Sequence, residues 1–107
     1  MIENTPQEVK DLIDNSKNQP LILDVREQWE YDICHIENSV HIPMGKIAEM
    51  SGKLETDRAI IVVCHHGIRS RMVAKYLVTK GFADVINLTG GIDAWSSNVD
   101  PSVPKYV

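Results

Sequence analysis

Short apolar runs alternate along this chain with segments of helical period, which predicts an α/β domain: a central parallel sheet with helices on both faces. Leu21–Val25 and Ala59–Val63 are apolar almost throughout, as strands covered on both sides must be. The second run ends in a cysteine, a glycine-containing loop and a new helical stripe. In sheets of this kind, sites lie beyond the carboxyl ends of the strands.

The elements follow in order. Thr5-Pro6-Gln7-Glu8 is a capping box with proline at the first helical position, and Val9, Leu12 and Ile13 give residues 6–15 an apolar face. After a polar break, residues 21–25 form a buried strand. Residues 27–33 form a brief helix carrying Trp29 and Tyr31. Val40-His41-Ile42 is a short strand stopped by Pro43, and residues 44–50 are weakly helical. Residues 59–63 form the next strand. From Ser70, a stripe of Met72, Val73, Tyr76 and Leu77 predicts a helix that Gly81 terminates. Val85–Leu88 is the last strand, and Gly90-Gly91 turns into a short helix holding Ala94 and Trp95. Pro101 and Pro104 keep the tail from continuing that helix. Trp29 and Trp95 are both expected in the core, since large aromatics dominate the packing of a small domain.

The chain of 107 residues suffices for one domain spanning residues 1–107. A net charge of −4 argues against a nucleic-acid partner or an anionic membrane surface. No apolar stretch approaches the ~20 residues of a membrane span. Met1–Pro6 lacks the basic start and apolar core of a signal peptide. Two cysteines make no disulfide framework, so a reducing, cytoplasmic setting is expected.

Cys64-His65-His66-Gly67-Ile68-Arg69 is the segment richest in chemistry. Free cysteine is often a small core hydrophobe. At a strand end that runs through a loop into a helix N-terminus, however, backbone N–H groups and the helix dipole favour a thiolate nucleophile. Adjacent His65 and His66 suggest zinc or a general base, but no Cys/His cluster with ligand spacing accompanies them, so no metal is expected. Gly67 fits a backbone geometry closed to residues with a Cβ, or an ordinary turn. Arg69 has the planar fork that suits an oxyanion. Arg71 is either a second anion contact or a solvent-facing helix charge. Asp24 and Arg26, ending a buried strand, are expected to pair as supports beside the site.

Three motifs resemble the rhodanese family of sulfurtransferases, specifically its small single-domain members. Leu23-Asp24-Val25-Arg26-Glu27 with Glu30-Tyr31, His35-Ile36 and Ile42-Pro43 resembles the N-terminal signature. Cys64 through Ser70 resembles the active-site loop, and Leu88-Thr89-Gly90-Gly91 with Ala94-Trp95 the C-terminal signature. Together they span about residues 21–104. The sequence departs from the pattern at Cys34 and at Asn38, where glycine is usual. Asn tolerates a left-handed conformation. Cys34 is expected to be an inert buried thiol, the alternative being a resolving partner for Cys64.

The resemblance implies a rhodanese-like domain that transfers sulfane sulfur from thiosulfate, or another such donor, through a Cys64 persulfide to cyanide or a thiol. It implies no metal and no organic cofactor. The loop His65, His66, Gly67, Ile68 and Arg69 would hold the anionic persulfide on its N–H groups, with Asp24, Arg26, Ser70 and Arg71 in support. Related phosphatases of the cell-cycle type carry a loop one residue longer. The six residues from Cys64 to Arg69 enclose a smaller space, suited to a terminal sulfur. A persulfide relay fed by a partner protein and a noncatalytic regulatory module are the alternative readings.

Overall fold

The computed structural model describes residues 1–107. Five strands, β1 (Ile2–Asn4), β2 (Leu21–Asp24), β3 (Val40–His41), β4 (Ile60–Val63) and β5 (Val85–Leu88), form one sheet in the order β1-β5-β4-β2-β3. All pairs are parallel. The helices are α1 (Pro6–Asn15), α2 (Gln28–Ile33), α3 (Ile47–Met50), α4 (Ile68–Thr79) and α5 (Gly91–Asn98). Tight 3-10 turns at Met44–Lys46 and Ser51–Lys53 flank α3.

The strands sort their side chains by parity. Leu21, Leu23, Ile60, Val62 and Val85 join Ile47 of α3 and Val73, Ala74 and Leu77 of α4 in one core. Ile22, Ile61, Val63, Ile86 and Leu88 join Val9 of α1 and Ile92 and Trp95 of α5 in the other. Strands buried on both faces thus explain the near-continuous apolar runs. The α1 capping box forms as its residues predict, with Glu8 N–H donating to the Thr5 hydroxyl at 3.2 Å and Thr5 N–H to the Glu8 carboxylate at 2.9 Å.

The structure differs from the sequence reading at four places. Strand β1 has no sequence signal, because its one apolar residue, Ile2, is 55% exposed. It is a strand only because β5 pairs with it, Ile2 against Ile86 and Asn4 against Leu88. Helix α4 begins at Ile68, two residues early, because Gly67 takes the left-handed conformation at φ 97° and starts the helix itself. That start sets the phase: Ser70, Val73, Ala74 and Leu77 face inward, while Met72 is 57% exposed. Finally, Trp29 is 57% exposed with its ring edge-on to Tyr106, whereas Trp95 is in the core. Helix α2 is too short to bury both its Glu30 side and its Trp29 side, and Glu30 takes the inner one.

Both departures from the signature fit the backbone. Cys34 is extended at φ −165°, which any residue adopts, and its side chain packs in the α1/α5 core. Asn38 sits at φ 68°, the left-handed turn that asparagine tolerates. Cys34 and Cys64 lie in the cores on opposite faces of the sheet, and both are free thiols.

Candidate active site

Cys64 follows the last residue of β4, the middle strand, and is only 1% exposed. The loop behind it is shaped by α5. The Ile92 N–H donates to the Cys64 carbonyl at 2.8 Å and the Asp93 N–H to the His65 carbonyl at 3.1 Å. Two loop carbonyls therefore satisfy donors in the first turn of α5 that have no partner inside that helix. This approach requires Gly91, where a Cβ would stand 2.4 and 2.5 Å from those same carbonyl oxygens.

With those carbonyls drawn to α5, the Gly67 N–H turns to the Cys64 Sγ at 3.0 Å. Gly67 is confined twice over. Its φ is left-handed, and a Cβ would meet Gly90 N at 3.1 Å and Leu88 O at 3.3 Å. The Gly67 carbonyl accepts from Asn87 Nδ2 at 3.1 Å. Asn87, fully buried in β5, also accepts from the Ser70 hydroxyl and donates to Glu3 at 2.9 Å. The N-terminus of α4 completes the surroundings of the sulfur with its partial positive charge.

Arg69 is paired with Glu30 of α2. Its two terminal nitrogens lie 2.7 and 2.8 Å from the two carboxylate oxygens of Glu30, a bidentate pair. Glu30 also accepts from the Tyr106 hydroxyl at 2.6 Å and from the Glu27 N–H at 3.1 Å. The Arg69 hydrogen bonds, and after them that of Tyr106, hold its carboxyl down at about 2 despite the opposing effect of burial.

Arg26 is fully buried and forks onto Asp24, with Nη2 2.7 Å from Oδ2. It also donates to the Cys34 carbonyl at 2.6 Å and the Tyr106 hydroxyl at 3.0 Å. Asp24 and Arg26 thus join the end of β2 to α2 and the C-terminal tail, behind the Glu30–Arg69 pair. Arg71, on the exposed side of α4, pairs with Glu3.

His65 is stacked between His66 and Tyr106, with ring centres 3.9 and 4.0 Å away. Its Nε2 lies 3.1 Å from the Tyr106 carbonyl. Burial, and next the neighbouring His66, push its pKa below the ordinary value and favour the neutral ring. His66 and Ile68 are exposed at the mouth of the loop.

The structure therefore brings Cys64, His65, Gly67, Arg69 and Ser70 to one strand end. Asp24 and Arg26 stand behind them, and Arg71 lies on the outer face. Three residues given no role by sequence reading, Glu30, Asn87 and Tyr106, belong to the same network. Asn87 carried a signal, a polar residue inside an apolar strand run. Tyr106, in a proline-broken tail, carried none. The largest surface cavity, about 560 Å³ among Ile13, Ile36 and Trp95, contains no residue of the loop and neither cysteine nor histidine.

A family model for the Rhodanese-like domain matches residues 5–98, and the chain belongs to that family. It is 40% identical over 82 residues to the thiosulfate sulfurtransferase GlpE of Coxiella burnetii, covering 77% of each chain. It is 39% identical over 79 residues to the putative sulfur carrier protein YrkF of Bacillus subtilis, covering 74% of this chain and 43% of that one. The crystal structure of a rhodanese-like domain protein from Staphylococcus aureus superposes with a TM-score of 0.84 at 31% identity, covering 100% of both chains. With this family and these relatives over most of its length, the protein is a sulfurtransferase.

Proposed function

We propose that this sulfurtransferase moves sulfane sulfur through a persulfide on Cys64, with thiosulfate as a donor and cyanide or a thiol as acceptor. One observation carries the reading: the Cys64 sulfur ends β4 with the Gly67 N–H aimed at it from 3.0 Å. A donor fixed in that position stabilises negative charge on the sulfur without reorganising. The similarity to a thiosulfate sulfurtransferase supports thiosulfate as the donor.

In the first step the Cys64 thiolate attacks the outer sulfur of thiosulfate. The new S–S bond forms as the sulfur–sulfur bond of thiosulfate breaks, and sulfite leaves with the electron pair. In the second step the acceptor attacks the outer sulfur of the persulfide, and Cys64 departs as the thiolate. Splitting the transfer in this way is nucleophilic catalysis with ping-pong kinetics. Backbone N–H groups of residues 65–69 hold the persulfide charge, and neither step needs a metal or an organic cofactor.

The two free thiols fit a reducing, cytoplasmic setting, and no helix is long and apolar enough to cross a membrane. A protein acceptor or donor is the second reading. It is favoured by Ile68 and Met72, 66% and 57% exposed, on successive turns of α4 beside the loop. Mass spectrometry tests the chemistry. Thiosulfate should add one sulfur atom to the Cys64 peptide and an acceptor thiol should remove it. Sulfur found on Cys34 instead would overturn the assignment.

A further inference from the structure

We propose that Glu30 is a positioning residue that sets donor specificity: by closing on Arg69 it withholds the loop's cation from dianionic thiosulfate and favours organic persulfides, R–S–SH. The inference rests on the Cys64 persulfide reading.

Thiosulfate carries two negative charges, so its binding depends on a cation free to meet the sulfonate end. The arginines offer none. Arg26 is buried on Asp24, Arg71 is paired with Glu3, and Arg58 donates to Gln19 at the far end of β4. Arg69, the one arginine of the loop itself, has both terminal nitrogens on Glu30. Glu30 cannot readily turn aside, because the Tyr106 hydroxyl and the Glu27 N–H hold the same carboxylate. Tyr106 is in turn fixed by Arg26 at 3.0 Å and by stacking on His65. The Glu30 charge persists at any pH at which the enzyme would be assayed, its carboxyl being held at about 2.

Apart from His66, the surface beside the loop on the α4 side is apolar. Ile68 and Met72 are exposed there, and Met72 continues into a groove of about 220 Å³ lined by Met44, Ile47, Ala48, Val73 and Tyr76. That surface suits a carbon-bearing donor. The exchange balances: Cys64–S⁻ attacks the outer sulfur of R–S–SH, forming Cys64–S–SH, and R–S⁻ leaves with the electron pair of the broken bond. No oxidant or reductant is required.

The test compares thiosulfate with N-acetylcysteamine persulfide, each rate divided by that donor's rate with a free small thiol. Wild type should favour the persulfide by at least about tenfold, the scale of one lost charge-assisted contact. Equal or greater use of thiosulfate overturns the inference, and this arm requires no variant. Glu30→Gln keeps the side-chain length and an oxygen for the Glu27 N–H while removing the charge and one of the two hydrogen bonds that hold Arg69. It should lower the KM for thiosulfate about tenfold without raising kcat/KM for the persulfide. A merely structural Glu30 would depress both donors together, which also overturns it. If neither donor places sulfur on Cys64 of wild type, the persulfide reading itself falls, and this inference with it. Loading without a donor split refutes only the inference.

Discussion

Asn87 donates to the Gly67 carbonyl at 3.1 Å, so a buried side chain on β5 fixes the residue whose own N–H points at Cys64 Sγ. The sheet interior and the loop that follows Cys64 are joined through one amide.

Replacing Asn87 with Leu removes that amide, leaving the Ser70 hydroxyl without its buried partner and the Gly67 carbonyl with the Arg71 N–H at 3.3 Å alone. A buried group left unsatisfied costs about 1–3 kcal/mol, so the variant should lose roughly that much in urea unfolding. Sulfur loading of Cys64, followed by mass, should slow more than tenfold. Unchanged loading would show that Gly67 holds its place without Asn87.

Cys64→Ser should fold as wild type does, since the side chain differs by one atom in a well-packed site. It should transfer no sulfur, because a hydroxyl forms no persulfide. Circular dichroism and a thiosulfate–cyanide assay check the two halves. Residual turnover above background would move the nucleophile elsewhere.

Gly91→Ala places a Cβ 2.4–2.5 Å from the Cys64 and His65 carbonyls, at a backbone φ of 63°. Overpacking of this kind costs about 1–3 kcal/mol. The relief available is for the loop to move off α5, and a shift of about 1 Å can cost a hundredfold in rate. Activity should therefore fall far more than thermal stability does.

The pH dependence of stability should report Glu30. Its carboxyl lies at about 2 in the fold against an ordinary value of 4.5. The folded value is below the unfolded one, so the ionised form stabilises the fold fully above about pH 5, and that stability is lost as pH falls toward 2. Allowing for the partly exposed Arg69, about 2 kcal/mol is at stake. Glu30→Gln should flatten this part of the unfolding profile. A profile identical to wild type would mean that the ion pair contributes nothing in solution.

Inserting one residue between Gly67 and Ile68 lengthens the loop to the phosphatase count. The Gly67 N–H and the start of α4 would no longer be set together against the sulfur, and sulfur transfer should drop at least about a hundredfold. Wild type should hydrolyse no aryl phosphate, and the insertion variant should gain at most a trace. Full sulfurtransferase activity after insertion would show that loop length does not select the chemistry.

The α/β class, four of the five strands and the loop from Cys64 to Arg69 were legible in the residues. Strands buried on both faces must be apolar throughout, and the residues of one tight loop are neighbours by covalent connection. Asn38 in a left-handed turn and the Cβ-free backbone of Gly67 were legible for a related reason, since each answers a backbone requirement of its own position. What only tertiary structure decided depends on residues far apart in the chain. Strand β1 exists because β5 lies beside it, and Trp29 is outside because Glu30 faces inward. Arg69 is aimed by a carboxylate 39 positions earlier, which is braced by a tyrosine 76 positions beyond that carboxylate. Periodicity records which face of an element is buried. It does not record which distant partner satisfies a buried charge, because that pairing arises only when the packed fold removes water from both groups.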